Sequence, residues 1–364
     1  MISLEQIFNG LAPGDEAAAA IPPAATPLSL SLRFLDVPIR VLTNDAGVWT
    51  ALCRYHAPYV TTEDLSPAVV VMLIQGHVRV EGEFRDIARR PGKQAREAVR
   101  EVEGGRLILK RKTGVVMGLW PRSAVACGDL RTHLSQAIDL INACYAKIHL
   151  ERGYRLLHAA AVSRWGRGAV LTGGRDAGKT TAALHLVEAG FRFLSSNRLL
   201  ARPGPAGADA LGYPKQPRVN PGTLLHHPRL VSLLEPKERQ ALSALPAREL
   251  WQLKRQRDVD VDAVYAPGTV CLQSRLELLV LLSWTLDGAG FQVRRLEAED
   301  TLARWPLYHK DLGVLDLDRP GPVAPTADDL AAYRELAAQV TVVEVSGRPD
   351  FAALVDVVAD LLGR

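Results

Sequence analysis

Gly173-Gly174-Arg175-Asp176-Ala177-Gly178-Lys179-Thr180 decides how this chain of 364 residues is read. The pattern is G-x-x-x-x-G-K-[ST], in which glycines let the backbone curl until successive N–H groups point inward at phosphate oxygens. A helix opening at Lys179 adds its orphan N–H groups and the positive end of its dipole. Lys179 is placed to reach the outer phosphates, and the Thr180 hydroxyl to ligate magnesium. The cradle is therefore read as Gly173, Gly174, Arg175, Asp176, Ala177, Gly178, Lys179 and Thr180, with Thr181 beside them. Arg175 and Asp176 are unusual inner residues. A carboxylate there repels phosphate unless it faces away or pairs with Arg175.

The flanking sequence has the order the motif requires. Gly168 to Thr172 is a short apolar run and reads as a buried strand. Lys179 to Ala189 reads as a helix, with Ala183, Leu186 and Val187 at i, i+3, i+4 and Gly190 where a C-terminal glycine belongs. Phe191 to Leu194 starts another strand. Upstream, Leu156 to Ser163 reads as one strand, turned back by Trp165-Gly166-Arg167-Gly168. A hairpin thus feeds the loop, unlike the lone parallel strand of most nucleotide-binding domains.

Bulk composition removes several classes. Hydrophobic residues make up 48% and charged residues 23%, ordinary values for a globular protein. The net charge of +4 comes with basic residues interleaved among acids, so nucleic acid is not an expected partner. Short clusters such as Lys110-Arg111-Lys112 and Lys254-Arg255 read as solvated faces. Cys53, Cys127, Cys144 and Cys271 have no metal-ligand spacing, which suits a reducing cytoplasm. No secretory signal is readable at the N-terminus. Leu276 to Leu282 is too short to span a bilayer and reads as a buried strand.

Along the chain, residues 1–27 form an N-terminal segment, with a short helix over 2–10 and an Ala/Pro/Gly-rich linker after it. Residues 28–128 alternate as strands around a helix near Trp49 and Tyr55, an α+β N-terminal domain. Residues 129–153 hold one long amphipathic helix expected to link two domains. The domain carrying the loop covers 154–364. Its C-terminal part has a helix from Ala327 capped by Thr326 and Asp329, a strand over 340–345 and a last helix from Asp350.

Leu157-His158-Ala159-Ala160-Ala161, the hairpin, the loop, Glu188-Ala189-Gly190-Phe191 and Leu194-Ser195-Ser196-Asn197-Arg198 together resemble HPr kinase/phosphorylases. They are still more similar to the HPr-kinase-related kinases of bacterial multigene cassettes. The resemblance covers mainly residues 154–223. It implies an α/β P-loop domain of the HPr kinase / phosphoenolpyruvate carboxykinase-like type behind the N-terminal α+β domain. It also implies ATP, magnesium and phosphoryl transfer to a serine of a peptide or protein. His158 would then lie near the phosphates. Pro214 to Thr223 resembles a stretch that follows the phosphate loop in the cassette kinases, where Lys215 and Arg218 could clamp a phosphate or an acidic substrate. The relatives' rings and dimers leave a homo-oligomer open to this chain.

Ser196 and Asn197 depart from the family, which carries one or two aspartates there, the first as the base for the acceptor hydroxyl. Neither residue is an effective base at neutral pH. The expected site is Lys179, His158, Asn197 and Arg218 for catalysis, with Thr180 and Asp260 for the metal. Asp258, Asp260 and Asp262 fall at period two. They are either a metal ligand and base on one strand face or an exposed edge that discourages pairing. Asp316 and Asp318 read as an exposed face, and His226 and His227 as surface residues. The expected activity is an ATP-dependent serine kinase. A pseudokinase acting as a nucleotide-gated partner and a partner-coupled ATPase are the rivals.

Overall fold

Alternating apolar residues build two large mixed sheets. The computed structural model describes residues 2–3, 27–79, 82–88, 94–285, 287–304, 308–319, 321 and 324–363. The helix and linker expected within 2–27 fall outside these residues, apart from the strand Ile2–Ser3 and residue 27. The chain divides into two units, 1–151 with 311–324 and 152–310 with 325–364.

In the first unit the strands are β1 (Ile2–Ser3), β2 (Leu28–Phe34), β3 (Val37–Thr43), β4 (Val69–Gln75), β5 (Val78–Arg79), β6 (Arg85–Ile87), β7 (Glu97–Val102), β8 (Gly105–Lys110), β9 (Val116–Leu119) and β10 (Ser123–Gly128). Eight of them form one sheet in the order β2-β3-β4-β10-β9-β8-β7-β6, and β1 pairs with β5. Strands β3, β4 and β10 run parallel. Leu30, Leu32 and Phe34 bury alternate positions of β2, as the period of a strand demands. Helix α1 (Ala46–Tyr55) starts at Asp45, whose side chain accepts from the Val48 N–H at 2.9 Å. Helix α2 (Leu134–Glu151) packs on β3, β4 and β10 through a stripe that includes Ile138, Ile141 and Tyr145. The long helix read over 129–153 therefore supplies the helical cover of this sheet. Residues 311–324 join the unit because buried Arg106 donates to the Asp316 and Leu317 carbonyls.

The second unit holds β11 (Arg155–Leu157), β12 (Ala159–Arg164), β13 (Arg167–Gly173), β14 (Arg192–Ser195), β15 (Leu199–Arg202), β16 (Ala208–Gly212), β17 (Arg218–Val219), β18 (Arg257–Asp258), β19 (Gln273–Leu282), β20 (Phe291–Arg295) and β21 (Thr341–Gly347). The main path is β11-β15-β16-β19-β13-β12-β14, and β21 pairs with both β19 and β20. Strands β13, β19 and β21 are parallel, and β12 is antiparallel to β13. The hairpin expected to feed the loop is thus present, turning through Trp165 and Gly166 at φ 53° and 78°.

Strand alternation sorts this unit's core into two layers. Ala160, Val162, Leu171, Val280 and Val345 face helices α3 (Lys179–Glu188) and, at the C-terminus, residues 351–361. Ala159, Ala161, Val170, Leu281 and Val342 face the opposite layer with Tyr333 and Leu336 of α4 (Ala327–Gln339). Thr326 and Asp329 form the expected capping box on α4, and Asp350 caps α5 (Phe351–Leu361). One sequence expectation changes. Leu156 to Ser163 is not a single strand, because the chain switches partners at His158. Strand β11 pairs with β15, and β12 with β13 and β14.

Candidate phosphate-binding site

The glycine-rich loop 173–180 joins the end of β13 to the start of α3, at the edge where the parallel strands end. Gly173 is held at φ 149°, and a Cβ there would meet the Leu282 carbonyl oxygen at 2.5 Å. Gly178 takes the left-handed conformation at φ 77° and serves as the N-cap of α3 with no side-chain cap. Helix α3 has no acidic residue in its first turn, so its first N–H groups and dipole face the loop uncompensated. The buried Lys179 Nζ folds back onto the loop, donating to the Gly173 carbonyl at 3.1 Å and the Gly174 carbonyl at 2.8 Å. Trp284, just beyond β19, donates from Nε1 to the Ala177 carbonyl at 2.8 Å and packs edge-on against Phe351.

Two hydroxyl pairs tie α3 to its surroundings. Thr180 Oγ1 lies 2.9 Å from Ser196 Oγ, and Thr181 Oγ1 lies 2.8 Å from Thr223 Oγ1. Ser196 therefore stands beside the residue expected to hold the metal. Magnesium favours oxygen donors and retains water and phosphate ligands. The Thr180 and Ser196 hydroxyls fit that chemistry only as neutral donors. Among the described residues no cluster of three His, Cys, Asp or Glu side chains could hold a metal by itself.

His158 occupies the break between β11 and β12. In the hairpin register it follows the Ala159–Thr172 pair, so it comes level with Gly173. Its carbonyl accepts from Thr172 Oγ1 at 3.1 Å, and its N–H donates to the Tyr308 carbonyl at 2.7 Å. Burial pushes its imidazole down to about 4. Lys179, Lys310 and Arg198 push it the same way, while a hydrogen bond with the Asn197 side chain opposes them. His158 is neutral at pH 7 and a weak base. Asn197 itself sits at φ 68°, a left-handed position that asparagine tolerates better than most residues. Burial also lowers the Lys179 ammonium to about 8; Asp176 pulls it up and Lys310 pushes it down.

The structure thus joins Gly173 to Thr181 with His158, Ser196 and Asn197. Two expected site residues are engaged by partners outside this set. Arg218 lies on β17 with its guanidinium 3.1 Å from Asp258. Asp260 caps the short helix Val261–Val264, accepting from the Ala263 N–H at 3.1 Å. The three carboxylates at period two do not share a strand face, because β18 ends at Asp258 and a helix follows. Asp262 accepts from the Val270 N–H at 2.9 Å instead. His227 is a correction of a different kind. Read as a surface residue, it is buried, its Nδ1 accepting from Leu230 N–H at 3.4 Å and its ring 4.6 Å from that of His185. Packing of the segment 221–234 onto α3 encloses it. His226 is exposed as expected. Asp316 and Asp318 lie in a turn, where Asp316 Oδ1 accepts from Asp318 N–H.

Four residues at the site escaped the sequence reading. Lys310 reaches it because its N–H donates to the Leu156 carbonyl at 3.1 Å. Arg198 follows Asn197 and donates to Tyr213 Oη at 3.1 Å. Lys254, read as part of a solvated cluster, has its Nζ 3.0 Å from the Asp176 carboxylate. Trp284 is the fourth. Lys310, Lys254 and Trp284 have no motif, since each comes from a segment that only tertiary packing brings to the loop, whereas Arg198 closes the stretch Leu194 to Arg198 that carries the resemblance.

No family model and no curated protein matches the sequence. Among solved structures, the HPr(Ser) kinase/phosphatase from Coxiella burnetii is similar, with a TM-score of 0.28 and 11% identity over 57% of this chain and 93% of that chain.

Proposed function

We propose that the chain binds ATP at residues 173–181 and transfers its γ-phosphate to a hydroxyl, a serine of a peptide or protein. The observation that supports this most is the loop itself. A glycine-framed turn, a buried lysine and an uncapped helix N-terminus converge at the end of a parallel strand. In this reading the backbone amides of 174–180 and Lys179 neutralise charge on the transferring phosphoryl group. Magnesium, held by Thr180 and the phosphates, supplies further charge neutralisation when bound. Phosphoryl transfer rests chiefly on positioning and electrostatics, so the site asks little of a base. The acceptor proton leaves without a carboxylate at positions 196 and 197, and His158 is too weakly basic at pH 7 to replace one.

That same feature favours a second reading. Ser196 beside Thr180 and Asn197 against His158 leave a site built for binding but poor in proton acceptors. A nucleotide-gated binding protein needs no more. Label transfer from γ-labelled ATP with magnesium, in an extract of the host, separates the two. A labelled acceptor that disappears with Lys179→Ala supports the kinase. ATP binding with no labelled acceptor supports the gated partner, and release of free phosphate alone supports a coupled ATPase.

A further inference from the structure

Asp176 sits inside the phosphate loop, where a free carboxylate works against the ligand. It stands at φ 63°, in the left-handed region that aspartate tolerates better than most residues. Its carboxylate oxygen Oδ2 is 3.0 Å from Lys254 Nζ and 3.9 Å from Arg175 Nε. The neighbouring arginine is therefore the looser partner. Lys254 comes from far along the chain, two residues after the helix Ala247–Gln252. That helix is anchored by Leu250, buried in the core layer that also holds α3. Lys254 thus approaches the loop from a packed segment.

Both partners of this ion pair are about half exposed, at 53% and 56%. Exposed pairs of that kind add little to folding stability. The consequence lies in what the loop can bind. Asp176 acts on Lys179 as well, holding its ammonium protonated against burial. An uncompensated Asp176 would compete with an incoming phosphate for that lysine.

We propose that Lys254 is a positioning residue of the phosphate site: it neutralises Asp176 and holds it aside, so that a polyphosphate can occupy a cradle with its own carboxylate. The inference rests on the reading of residues 173–181 as a nucleotide site. A charge cycle on the full chain tests it, with the non-hydrolysable β,γ-imido analogue of ATP and magnesium as the probe. Lys254→Met is expected to weaken binding about tenfold while the melting temperature stays put. Lys254→Arg restores it to within about threefold, since charge is what matters here. Asp176→Asn binds at least as tightly as the natural chain. In the Asp176→Asn background, Lys254→Met costs no more than about twofold, the signature of coupling between the two positions. Unchanged binding by Lys254→Met overturns the proposal, and so does an equal loss in both backgrounds, which would put Lys254 on the ligand itself. A natural chain that fails to bind the probe, no better than Lys179→Ala, overturns the nucleotide reading and this inference with it.

Discussion

Lys179 is the residue on which the site's pH behaviour depends. Burial holds its ammonium down at about 8, so part of its charge is lost in mildly alkaline solution. An anion in the cradle favours the protonated form and raises that value. If the loop binds nucleotide as proposed, its affinity is expected to be full below pH 8 and to fall as the pH rises through it. Calorimetry at pH 8.5 in two buffers of different ionisation enthalpy checks the sign, because binding must take up protons. On that reading, Lys179→Ala would remove charge-assisted hydrogen bonds to phosphate and is expected to weaken binding on the order of 10–100-fold. Asn197 carries a second prediction. Asn197→Asp puts a carboxylate against His158 and supplies the missing proton acceptor. If the chain is a weakened kinase, turnover rises on the order of tenfold or more. Unchanged turnover with ATP binding retained identifies a binding protein instead.

The elements that frame the loop tolerate little change. Strand β13 ends against β19 with Gly173 paired to Leu282. A Cβ at Gly173 would come 2.5 Å from the Leu282 carbonyl oxygen, which belongs to the backbone and cannot swing away. Gly173→Ala is expected to cost roughly 1–3 kcal/mol and to open the loop. Chemical denaturation measures the first effect and nucleotide titration the second. At Gly178 a Cβ would meet only ordinary contacts, Phe351 and Trp284 at 3.9 Å, but φ is 77°. The smaller cost of Gly178→Ala, about 1 kcal/mol, comes from backbone strain alone. The two glycines of the motif are thus required for different physical reasons.

At the scale of the whole molecule, the first unit carries the clearest sensitivity to acid. His56 is fully buried against Phe34, Tyr55 and Tyr59, and among the described groups neither ring nitrogen has a hydrogen-bond partner. Burial pushes its imidazole down to about 3. The unfolded chain binds this proton near the ordinary value of about 6.5 and the folded chain does not. Stability is therefore complete above pH 6.5 and falls as the pH drops towards 3. His56→Leu should flatten that fall and remove a buried unsatisfied group worth about 1–3 kcal/mol, read from melts across pH 4–8. Among the described residues no helix is long and apolar enough to cross a membrane. The loop, its helix, the feeding hairpin, the cap at Thr326 and the last helix from Asp350 were legible in the sequence. Each depends on residues within a few positions of one another, and glycine placement, period and capping chemistry are local. Strands β6, β7, β15 and β16 and the break at His158 were not, because pairing partners decide them. The carboxylates at 258, 260 and 262 would share a face only on a continuous strand, and β18 ends at Asp258. The sequence by itself determined a glycine-rich loop on a strand–loop–helix unit. Only the tertiary structure decided that Lys254, Lys310 and Trp284 gather around it, since the charges and contacts that complete the site come from distant segments with no local signature.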